Sequence, residues 1–258
     1  MSVNEAVIFD IWSTFAYFRK PYTTTTALTF NFIPRSAIEG LIAAILGIDR
    51  RDRFNKLSNS RIGLTILSEI IKIPFSTMHT HSDFWEAMRN YINFKPIIKK
   101  NFHAIVNLEL LVNPKYRIYF SHCEPHYNEQ LEGKLKDHQT VYTPYLGTST
   151  MIANFQYVDT VRYYNNKISR ESIEISSIIP YKNNKIPNIV IEKDKIYAIE
   201  QNIPSKINEQ RDLISSYSAL YGPKGEKITV KDKDIEIQSF VFTKSYNKRK
   251  ENFVFIPS

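Results

Sequence analysis

The residues in this sequence whose types and spacing suit chemistry are basic, aromatic and hydroxyl side chains, which occur together in two short segments. Residues 18–26 contain a phenylalanine, an arginine, a lysine, a tyrosine and four threonines, and residues 94–103 contain two phenylalanines, three lysines and a histidine. Proteins hold single-stranded RNA with cations on its phosphates, aromatic rings under its unstacked bases, and hydroxyl or backbone N–H groups at its sugars. Both segments therefore favour RNA binding, with solvated surface loops as the alternative.

These two segments supply most of the candidate RNA-binding residues. Arg35 is a further candidate because it lies in the first turn of a predicted helix, where free backbone N–H groups favour an anion, although a carboxylate is an equal partner for it. A predicted tight turn into a second helix places two hydroxyls at the start of that helix, where phosphate contact and helix capping are both open. The candidates are Phe18, Arg19, Lys20, Tyr22, Thr23, Thr24, Thr25, Thr26, Arg35, Lys95, Lys99, Lys100, Tyr145, Gly147, Thr148 and Ser149.

The sequence lacks the signatures of nucleotide-binding loops and of closed metal sites. The seven glycines, at positions 40, 47, 63, 133, 147, 222 and 225, form neither a GxGxxG nor a GxxxxGKS/T loop. Histidine and cysteine side chains at positions 79, 81, 122, 123 and 126 are possible metal ligands, but no second pair completes a tetrahedral set, so we predict no metal and no cofactor. The one cysteine, Cys123, cannot form an internal disulfide, and we expect an unreactive thiol.

The elements that must position the candidate residues alternate in the order β-α-β-β-α-β over the first 165 residues. Residues 3–18 are apolar on both faces of an extended chain, which is typical of a central strand. Residues 74–103 have no clean period and form an insertion between the two central strands of what is otherwise the ferredoxin-like order, an α+β fold. The other predicted elements are a helix at 34–47, a strand-like run at 62–73, strands at 106–112, 116–120 and 155–163, a helix at 128–138 and a helix-like patch at 145–153.

The predicted helix at 34–47 has two distinct faces. One face is apolar, and the other is a stripe of small residues at positions 37, 40, 44 and 47. Small side chains let another backbone approach closely, so we expect this helix to be sandwiched between neighbours. Gly47 is the predicted end of the helix.

The C-terminal third differs from the rest of the chain in composition. After a boundary near residue 166 the sequence is rich in Lys, Asn, Ile and Pro and contains only short strand-like runs. We therefore predict a β-rich region over residues 166–258. Residues 205–220 are ambiguous and fit a helix loosely.

The overall charge agrees with a phosphate-rich partner. The 34 Lys and Arg residues exceed the 26 Asp and Glu residues by 8, and a hydrophobic content of 43% is enough to bury a core. The N-terminus lacks a cationic segment before its apolar stretch, and the longest nearly apolar segment, 37–48, is shorter than the roughly 20 residues of a membrane span. We expect a cytoplasmic protein without a signal peptide or a membrane partner.

Four blocks of the sequence resemble a known family. Phe18-Arg-Lys-Pro-Tyr-Thr-Thr-Thr and Pro34-Arg-Ser-Ala-Ile-x-Gly-Leu-Ile-x-Ala-Ile-Leu-Gly resemble the start of the CRISPR-associated Cas-five proteins, which are part of the RAMP superfamily. Two later blocks fit as well: Leu111-Val-Asn-Pro-Lys-Tyr-Arg-Ile-Tyr and Thr143-Pro-Tyr-Leu-Gly-Thr-Ser-x-x-x-Ala-Asn-Phe. The blocks keep their order and spacing over residues 6–165, and the similarity is greatest to the type I-B branch.

The resemblance implies a fold and a function. The fold is a ferredoxin-like (RRM-related) core over residues 1–165, with a thumb insertion at about 74–103, followed by the β-rich region 166–258. The function is that of a non-catalytic RNA-binding subunit of the Cascade surveillance complex in antiviral defence, which caps the 5′ handle of the CRISPR RNA. The implied partners are this RNA, a Cas-seven backbone subunit, a Cas-eight large subunit and, indirectly through the complex, target DNA.

Two alternative functions stay open. A related branch, type I-C, is a metal-independent endoribonuclease that uses a Tyr, a Lys and a His; Tyr22, Lys100 and His103 supply these types here, but Lys100 and His103 are not adjacent. The other alternative is an adaptor that binds proteins through an aromatic surface without RNA. Salt separates RNA binding from apolar docking, because only the former weakens steeply as salt rises.

Overall fold

A computed structural model gives the fold of the chain. It describes all residues except 1–3, 24–25, 81–87, 91, 94–102, 168–171, 183–184, 209, 211, 232–234, 243–249 and 258, with the side chains of 79, 80, 103, 104 and 167 also left out. The described elements make a strand-rich mixed α/β protein with few helices. No helix in the described ranges is long and apolar enough to cross a membrane.

The elements follow one another along the chain, and every described helix ends by residue 136. Their bounds are β1 (Glu5–Trp12), β2 (Phe15–Ala16), α1 (Arg35–Leu46), α2 (Arg53–Lys56), β3 (Ser60–Ile66), β4 (Ile71–Thr80), β5 (His103–Val112), β6 (Lys115–His122), α3 (Pro125–Lys136), β7 (Asn154–Arg162), β8 (Tyr164–Lys167), β9 (Ile173–Ile175), β10 (Ile179–Tyr181), β11 (Ala198–Ile207), β12 (Leu213–Tyr221), β13 (Ile228–Val230), β14 (Glu236–Val241), β15 (Lys250–Phe253) and β16 (Phe255–Ile256).

A five-stranded antiparallel sheet in the order β16-β3-β6-β1-β7 forms the centre of the molecule. The predicted central strand is confirmed as β1, which is buried from Ala6 to Ile11. It tolerates the charge of Asp10 because the Arg117 guanidinium on β6 donates to both carboxylate oxygens, at 2.8 and 3.1 Å. The strand is shorter than predicted, since the chain leaves the sheet after Trp12 and pairs as β2 with β5 instead.

The helices α1 and α3 cover one face of this sheet and bury the largest core with it. Gly47 ends α1 as predicted: its φ of 79° is left-handed, and its N–H donates to the Ala43 carbonyl at 2.9 Å. Neighbours approach the small-residue stripe of α1 closely at Gly47, beside Val141, and at Gly40, beside the Arg53 guanidinium. Between these contacts Ala37, Gly40 and Ala44 also line a groove.

The C-terminal residues cover the opposite face of the sheet and complete its edge. Phe253 of β15 stacks on Tyr119 of β6, with ring centroids 4.3 Å apart, and Phe240 of β14 packs beside them. The last strand, β16, pairs with β3 and so becomes the edge strand of the central sheet. Residues far apart in the sequence therefore share one sheet.

Two parts of the sequence-based assignment are wrong, and the structure resolves a third part that the sequence left ambiguous. Residues 145–153 are a turn rather than a helix, closed by a bridge between Tyr145 and Ile152 and by the Ala153 N–H, which donates to the Pro144 carbonyl at 2.9 Å. Residues 74–80, predicted as irregular, belong to β4; Pro74 is tolerated because β4 is an edge strand of its sheet. The loosely helical stretch 205–220 is the end of β11 and most of β12, which pair with each other.

The strands β4 and β5 form a long hairpin on the side of the core. Their pairing runs from Ile71 opposite Val112 to Thr80 opposite His103, so it extends beyond the predicted insertion at both ends. One face of this hairpin carries Ile71, Ile73 and Phe75, and the other carries the polar pair Ser76 and Asn107 together with exposed Met78 and Ile105. The residues between these strands lie mostly outside the described ranges.

Candidate nucleic-acid interface

Two of the segments that the sequence singles out meet in space. We call residues 17–31 the basic loop and residues 144–153 the docked turn. The Tyr17 N–H donates to the Leu146 carbonyl at 3.2 Å, and Leu146 is fully buried. Gly147 has a φ of 99°, and a Cβ on it would overlap the Tyr17 carbonyl, so only glycine permits this contact. The start of the basic loop and the docked turn therefore form one surface.

The basic loop is an antiparallel arm whose base is fixed by the C-terminal region. The Lys20 N–H donates to the Leu28 carbonyl at 2.8 Å. The Lys20 ammonium lies 2.6 Å from an oxygen of Glu200 on β11, and the Asn31 N–H donates to the other Glu200 oxygen at 3.1 Å. The Asn31 side chain also donates to the hydroxyl of Tyr221 at 2.6 Å. One buried carboxylate thus holds both ends of the loop.

A second ion pair attaches the loop to the hairpin. The charged groups of Lys72 on β4 and Glu109 on β5 lie 3.0 Å apart, and both contact the backbone of Thr29. The Lys72 ammonium donates to the Thr29 carbonyl at 3.1 Å, and the Thr29 N–H donates to the Glu109 carboxylate at 3.3 Å. A bridge between Ala27 and Leu108 extends this contact. The loop is therefore positioned from two sides.

The structure divides the predicted residues of the loop into free and committed groups. Arg19 and Thr26 are exposed, and Tyr22 has 55% of its surface exposed. Phe18 is only 4% exposed and packs in the main core, so it cannot stack on a base, contrary to the prediction. The Thr23 hydroxyl donates to the Lys20 carbonyl at 2.8 Å, while Thr24 and Thr25 lie outside the described residues.

Lys20 and Arg35 have protein partners in place of the predicted RNA contact. Lys20 keeps its pair with Glu200, which leaves its charge largely compensated. Arg35 is 1% exposed and donates to Glu39 at 3.0 Å and to the carbonyls of Ile256 and Ser60 at 2.9 and 2.7 Å. Arg35 therefore ties α1 to β3 and β16, and its assignment to RNA binding is wrong.

A charge pattern in the sequence points to the role of Arg35. Glu39 is four residues away on the same helix, a spacing at which opposite charges meet. Burial raises the pKa of Glu39, and the neighbouring guanidiniums of Arg35 and Arg53 counteract that rise. Glu200, which holds the basic loop, had no such signal, because its partners are about 180 and 169 residues away in the chain.

The docked turn presents one aromatic ring and several hydroxyls. Tyr145 is 47% exposed, and Ser149 is exposed beside it. Thr148 and Thr150 hydroxyls lie 3.1 Å apart, and the Thr148 carbonyl accepts from Met151. Because no helix begins here, capping by Thr148 or Ser149 is ruled out.

Several sequence candidates between β4 and β5 in the chain lie outside the residues that the structure describes. Lys95, Lys99 and Lys100 lie outside the described residues, as does the side chain of His103. Of the alternative nuclease trio, the structure therefore places only Tyr22, on the basic loop.

One cluster of possible metal ligands occurs within the described ranges. His122, Cys123 and Glu124 offer ligand atoms within 4.8 Å of one another. The Nδ1 of buried His122 accepts the Glu124 N–H at 3.0 Å, and burial lowers the pKa of this histidine. Three ligand atoms do not complete a tetrahedral set among the described residues, so the absence of a metal stays a prediction.

The apolar face of the hairpin is open to solvent. Ile71 is 50% exposed and Phe75 is 48% exposed, and they lie on the same face as Ile73, Leu108 and Val106. Contiguous exposed apolar side chains of this kind mark interaction surfaces. The face lies next to the basic loop, which packs along β5.

Comparisons with known proteins point to one family. A family model described as CRISPR-associated protein (Cas_Cas5) matches residues 6–184. A chain of a solved "CRISPR RNA-guided surveillance complex" is similar with a TM-score of 0.53 and 10% sequence identity, covering 87% of this chain and 90% of that chain. A crystal structure of a CRISPR protein from Archaeoglobus fulgidus is similar with a TM-score of 0.54 and 11% identity, covering 97% and 99%. No curated protein matches the chain.

Proposed function

The chain belongs to the CRISPR-associated Cas-five family, and on that premise we propose that it is a non-catalytic, RNA-binding subunit of a type I CRISPR surveillance complex. In this proposal it belongs to the type I-B branch and caps the 5′ handle of the CRISPR RNA in antiviral defence. It contacts a Cas-seven backbone subunit and a Cas-eight large subunit, and it meets target DNA only through the complex.

The arrangement of strands supports a ferredoxin-like, RRM-related core within residues 1–165. The four core strands lie side by side in the order β3, β6, β1 and β7. In chain order they are the second, third, first and fourth strands of the core, with α1 following the first strand and α3 following the third. This is the order of a split β-α-β unit. In the proposal the β4–β5 hairpin, which leaves the core between β3 and β6, is the thumb.

The observation that carries the proposed RNA role is the meeting of the basic loop and the docked turn. Together they present one exposed cation, Arg19, and two exposed rings, Tyr22 and Tyr145, on segments that are joined by the hydrogen bond from Tyr17 to Leu146. Among the described residues no carboxylate pairs with Arg19. A cation for a phosphate and rings for unstacked bases are what a single-stranded RNA end requires.

The apolar face of the hairpin supports the proposed contact with a protein neighbour. Its exposed side chains, Ile71 and Phe75, lie in register with the partly exposed strand β5. A single hairpin cannot bury such a face by itself. We assign this face to a neighbouring protein subunit and the loop to the RNA.

An RNA-binding experiment on two matched arginine variants tests the function. Labelled single-stranded RNA with the repeat-derived 5′ handle is titrated into the wild type, Arg19→Ala and Arg162→Ala. Arg162 is an exposed arginine on β7 that lies far from the basic loop. It pairs with Glu5 at the start of β1, whereas the loop follows Trp12 at the end of β1. Arg19→Ala should lose about 1.5–3 kcal/mol of binding free energy, roughly tenfold to a hundredfold in affinity, and Arg162→Ala should change it by less than about twofold.

The salt dependence and the integrity of the RNA sharpen the result. The slope of log affinity against log salt should fall by about one phosphate contact in the double variant Arg19→Ala, Lys20→Ala, and not by two. The reason is that Glu200 already compensates the charge of Lys20. The RNA should be recovered intact with and without divalent ions. Equal affinity of the wild type and Arg19→Ala would refute the loop as the RNA site, and specific cleavage abolished by His103→Ala would show an endoribonuclease.

A further inference from the structure

A groove lies along α1 beside the docked turn. Its volume is about 680 Å³, and its floor is the small-residue stripe Ala37, Gly40 and Ala44. Its walls come from the segment before β7, from the chain after α1 and from the end of β11, and include Arg50, Arg53, Tyr142, Tyr145, Gly147 and Ile207. Pockets of roughly 300–1,000 Å³ take small molecules of nucleotide size.

The groove is held open by contacts between its walls and the helix. The N–H groups of Val141 and Tyr142 donate to the carbonyls of Ile45 and Ala44, at 3.3 and 3.0 Å, which fixes this segment at the C-terminal end of α1. On the other side, a Cβ at Gly40 would lie 2.6 Å from an Nη atom of Arg53, so glycine makes room for that guanidinium against the helix. The Arg53 guanidinium also lies 4.7 Å from the Phe54 ring.

The groove combines rings with positive charge. Tyr142 and Tyr145 are both about half exposed at its wall. Arg50, Arg53 and Asp49 line it, and at its end exposed Lys206 precedes Ile207 while Glu39 lies beside Arg53. Three cations against two carboxylates leave a net positive charge that favours an anionic ligand, and exposed rings beside them favour one with flat bases.

We propose that this groove binds at least one nucleotide of single-stranded RNA, with a base stacked on Tyr145 or Tyr142 and a phosphate at Arg50 and Arg53. The inference rests on the proposed function, because Gly147 joins the groove to the start of the basic loop through its contact with Tyr17. The RNA then runs from Arg19 across the docked turn and onto α1. The sequence blocks singled out Tyr145 and Gly147 but not the two arginines or Tyr142.

Binding and cross-linking with one probe test the groove. The probe is a short oligouridine that contains 4-thiouridine. Tyr145→Ala should weaken its binding roughly tenfold to a hundredfold if a base stacks there, Tyr145→Phe should keep the wild-type affinity within about twofold, and Ala44→Leu should weaken binding by filling the floor. Gln130→Leu, which places the same leucine side chain on the exposed side of α3, is the control and should leave affinity unchanged. Cross-links should map to the peptide that contains Tyr142 and Tyr145.

The outcomes separate this inference from the function on which it rests. If Arg19→Ala weakens the binding of the oligouridine while Tyr145→Ala and Ala44→Leu do not, the groove is not an RNA site and the proposed function stands. If the wild type binds no RNA, the proposed function itself is wrong. Cross-links from the groove to another protein subunit of the assembled complex, in place of RNA, would also overturn the inference.

Discussion

The basic loop and the β4–β5 hairpin both leave the central sheet, but they are supported in different ways. The base of the loop is held by the buried carboxylate of Glu200, by the side chain of Asn31 and by the hairpin itself. The hairpin is held by its own ladder and by the two-residue strand β2, and one of its faces stays apolar and open. A rigid base suits recognition of a defined ligand, and an open apolar face suits burial against another protein.

The ion pairs of the two regions show the same difference. The side chains of Lys20 and Glu200 are 15% and 5% exposed, whereas those of Lys72 and Glu109 are 24% and 26% exposed. A charge that loses its partner in a buried place is left uncompensated, while a charge near the surface regains water. The two pairs therefore have the same chemistry but should differ in their contribution to stability.

Glu200→Leu should have the largest effect on the protein. It leaves the Lys20 ammonium and the Asn31 N–H without an acceptor inside the molecule, so we expect a loss of about 3 kcal/mol in the free energy of unfolding. Lys72→Met removes the more exposed pair and should cost about 1 kcal/mol or less. Urea unfolding followed by circular dichroism measures both values.

Glu200→Leu combined with Lys20→Met provides the control for this comparison. Because no charge is then left unpaired, the double variant should regain most of the lost stability. RNA affinity should stay low in both variants, since the loop loses its fixed base. Equal losses for Glu200→Leu and Lys72→Met would show that the loop is no better anchored than the hairpin.

Phe75→Glu should have the next largest effect, on assembly rather than on folding. Phe75 is already half exposed, so the free energy of unfolding should change by less than about 0.5 kcal/mol. If a neighbouring subunit buries this ring, its loss should weaken assembly by about 2 kcal/mol, roughly thirtyfold in affinity. Co-purification with the backbone subunit measures assembly, and binding of handle RNA by the isolated chain should not change.

Hydrogen exchange gives an independent measure of the same face. Amide protection in β4 and β5 should rise when the complex assembles, and protection at the base of the basic loop should already be high in the isolated chain. Ser76→Glu, on the opposite face of the same strand, is the matched control and should leave assembly intact. Equal protection of the hairpin in free and assembled protein would contradict the proposed contact.

The sequence predicts the framework better than the contacts at the site. The periodicity of β1, the helix α1 and its end at Gly47 follow from patterns within a few residues, and the structure confirms them. The docked turn was mistaken for a helix because its closing contacts, to Ile152 and Tyr17, are not periodic. The sequence indicates which side chains are basic or aromatic. It does not indicate which of them are free to contact RNA.

The residues whose predicted RNA contacts differ from the structure are those whose protein partners lie far away in the chain. Lys20 and Arg35 have the composition of phosphate contacts, but Glu200 and the carbonyl of Ile256 engage them in the fold. Phe18 has the composition of a stacking ring, but its place after β2 turns it into the core. A single sequence shows which side chains are charged or aromatic, and only the tertiary structure shows which of them are already used.

The smallest expected effect concerns pH and again separates the two regions. The pKa of Tyr221 is raised to about 12 by burial and by the nearby Glu200 carboxylate, while its hydrogen bond from Asn31 lowers it. The unfolded chain ionises this tyrosine near pH 10. Between pH 10 and 12 the unfolded state therefore releases a proton that the folded state keeps, so stability falls as pH rises through this range.

Tyr221→Phe removes this contribution and should flatten the decline in unfolding free energy between pH 10 and 12 by about 1 kcal/mol relative to the wild type. Other buried tyrosines, such as Tyr116, titrate in both proteins and cancel in the difference. Tyr142→Phe, which removes a hydroxyl from an exposed tyrosine, is the control for the substitution itself. Because Tyr221 holds Asn31, a flattened curve would show that the base of the basic loop is a closed, water-poor network. An unchanged curve would mean that water reaches Tyr221, and the loop would then be as open at its base as the hairpin is along its face.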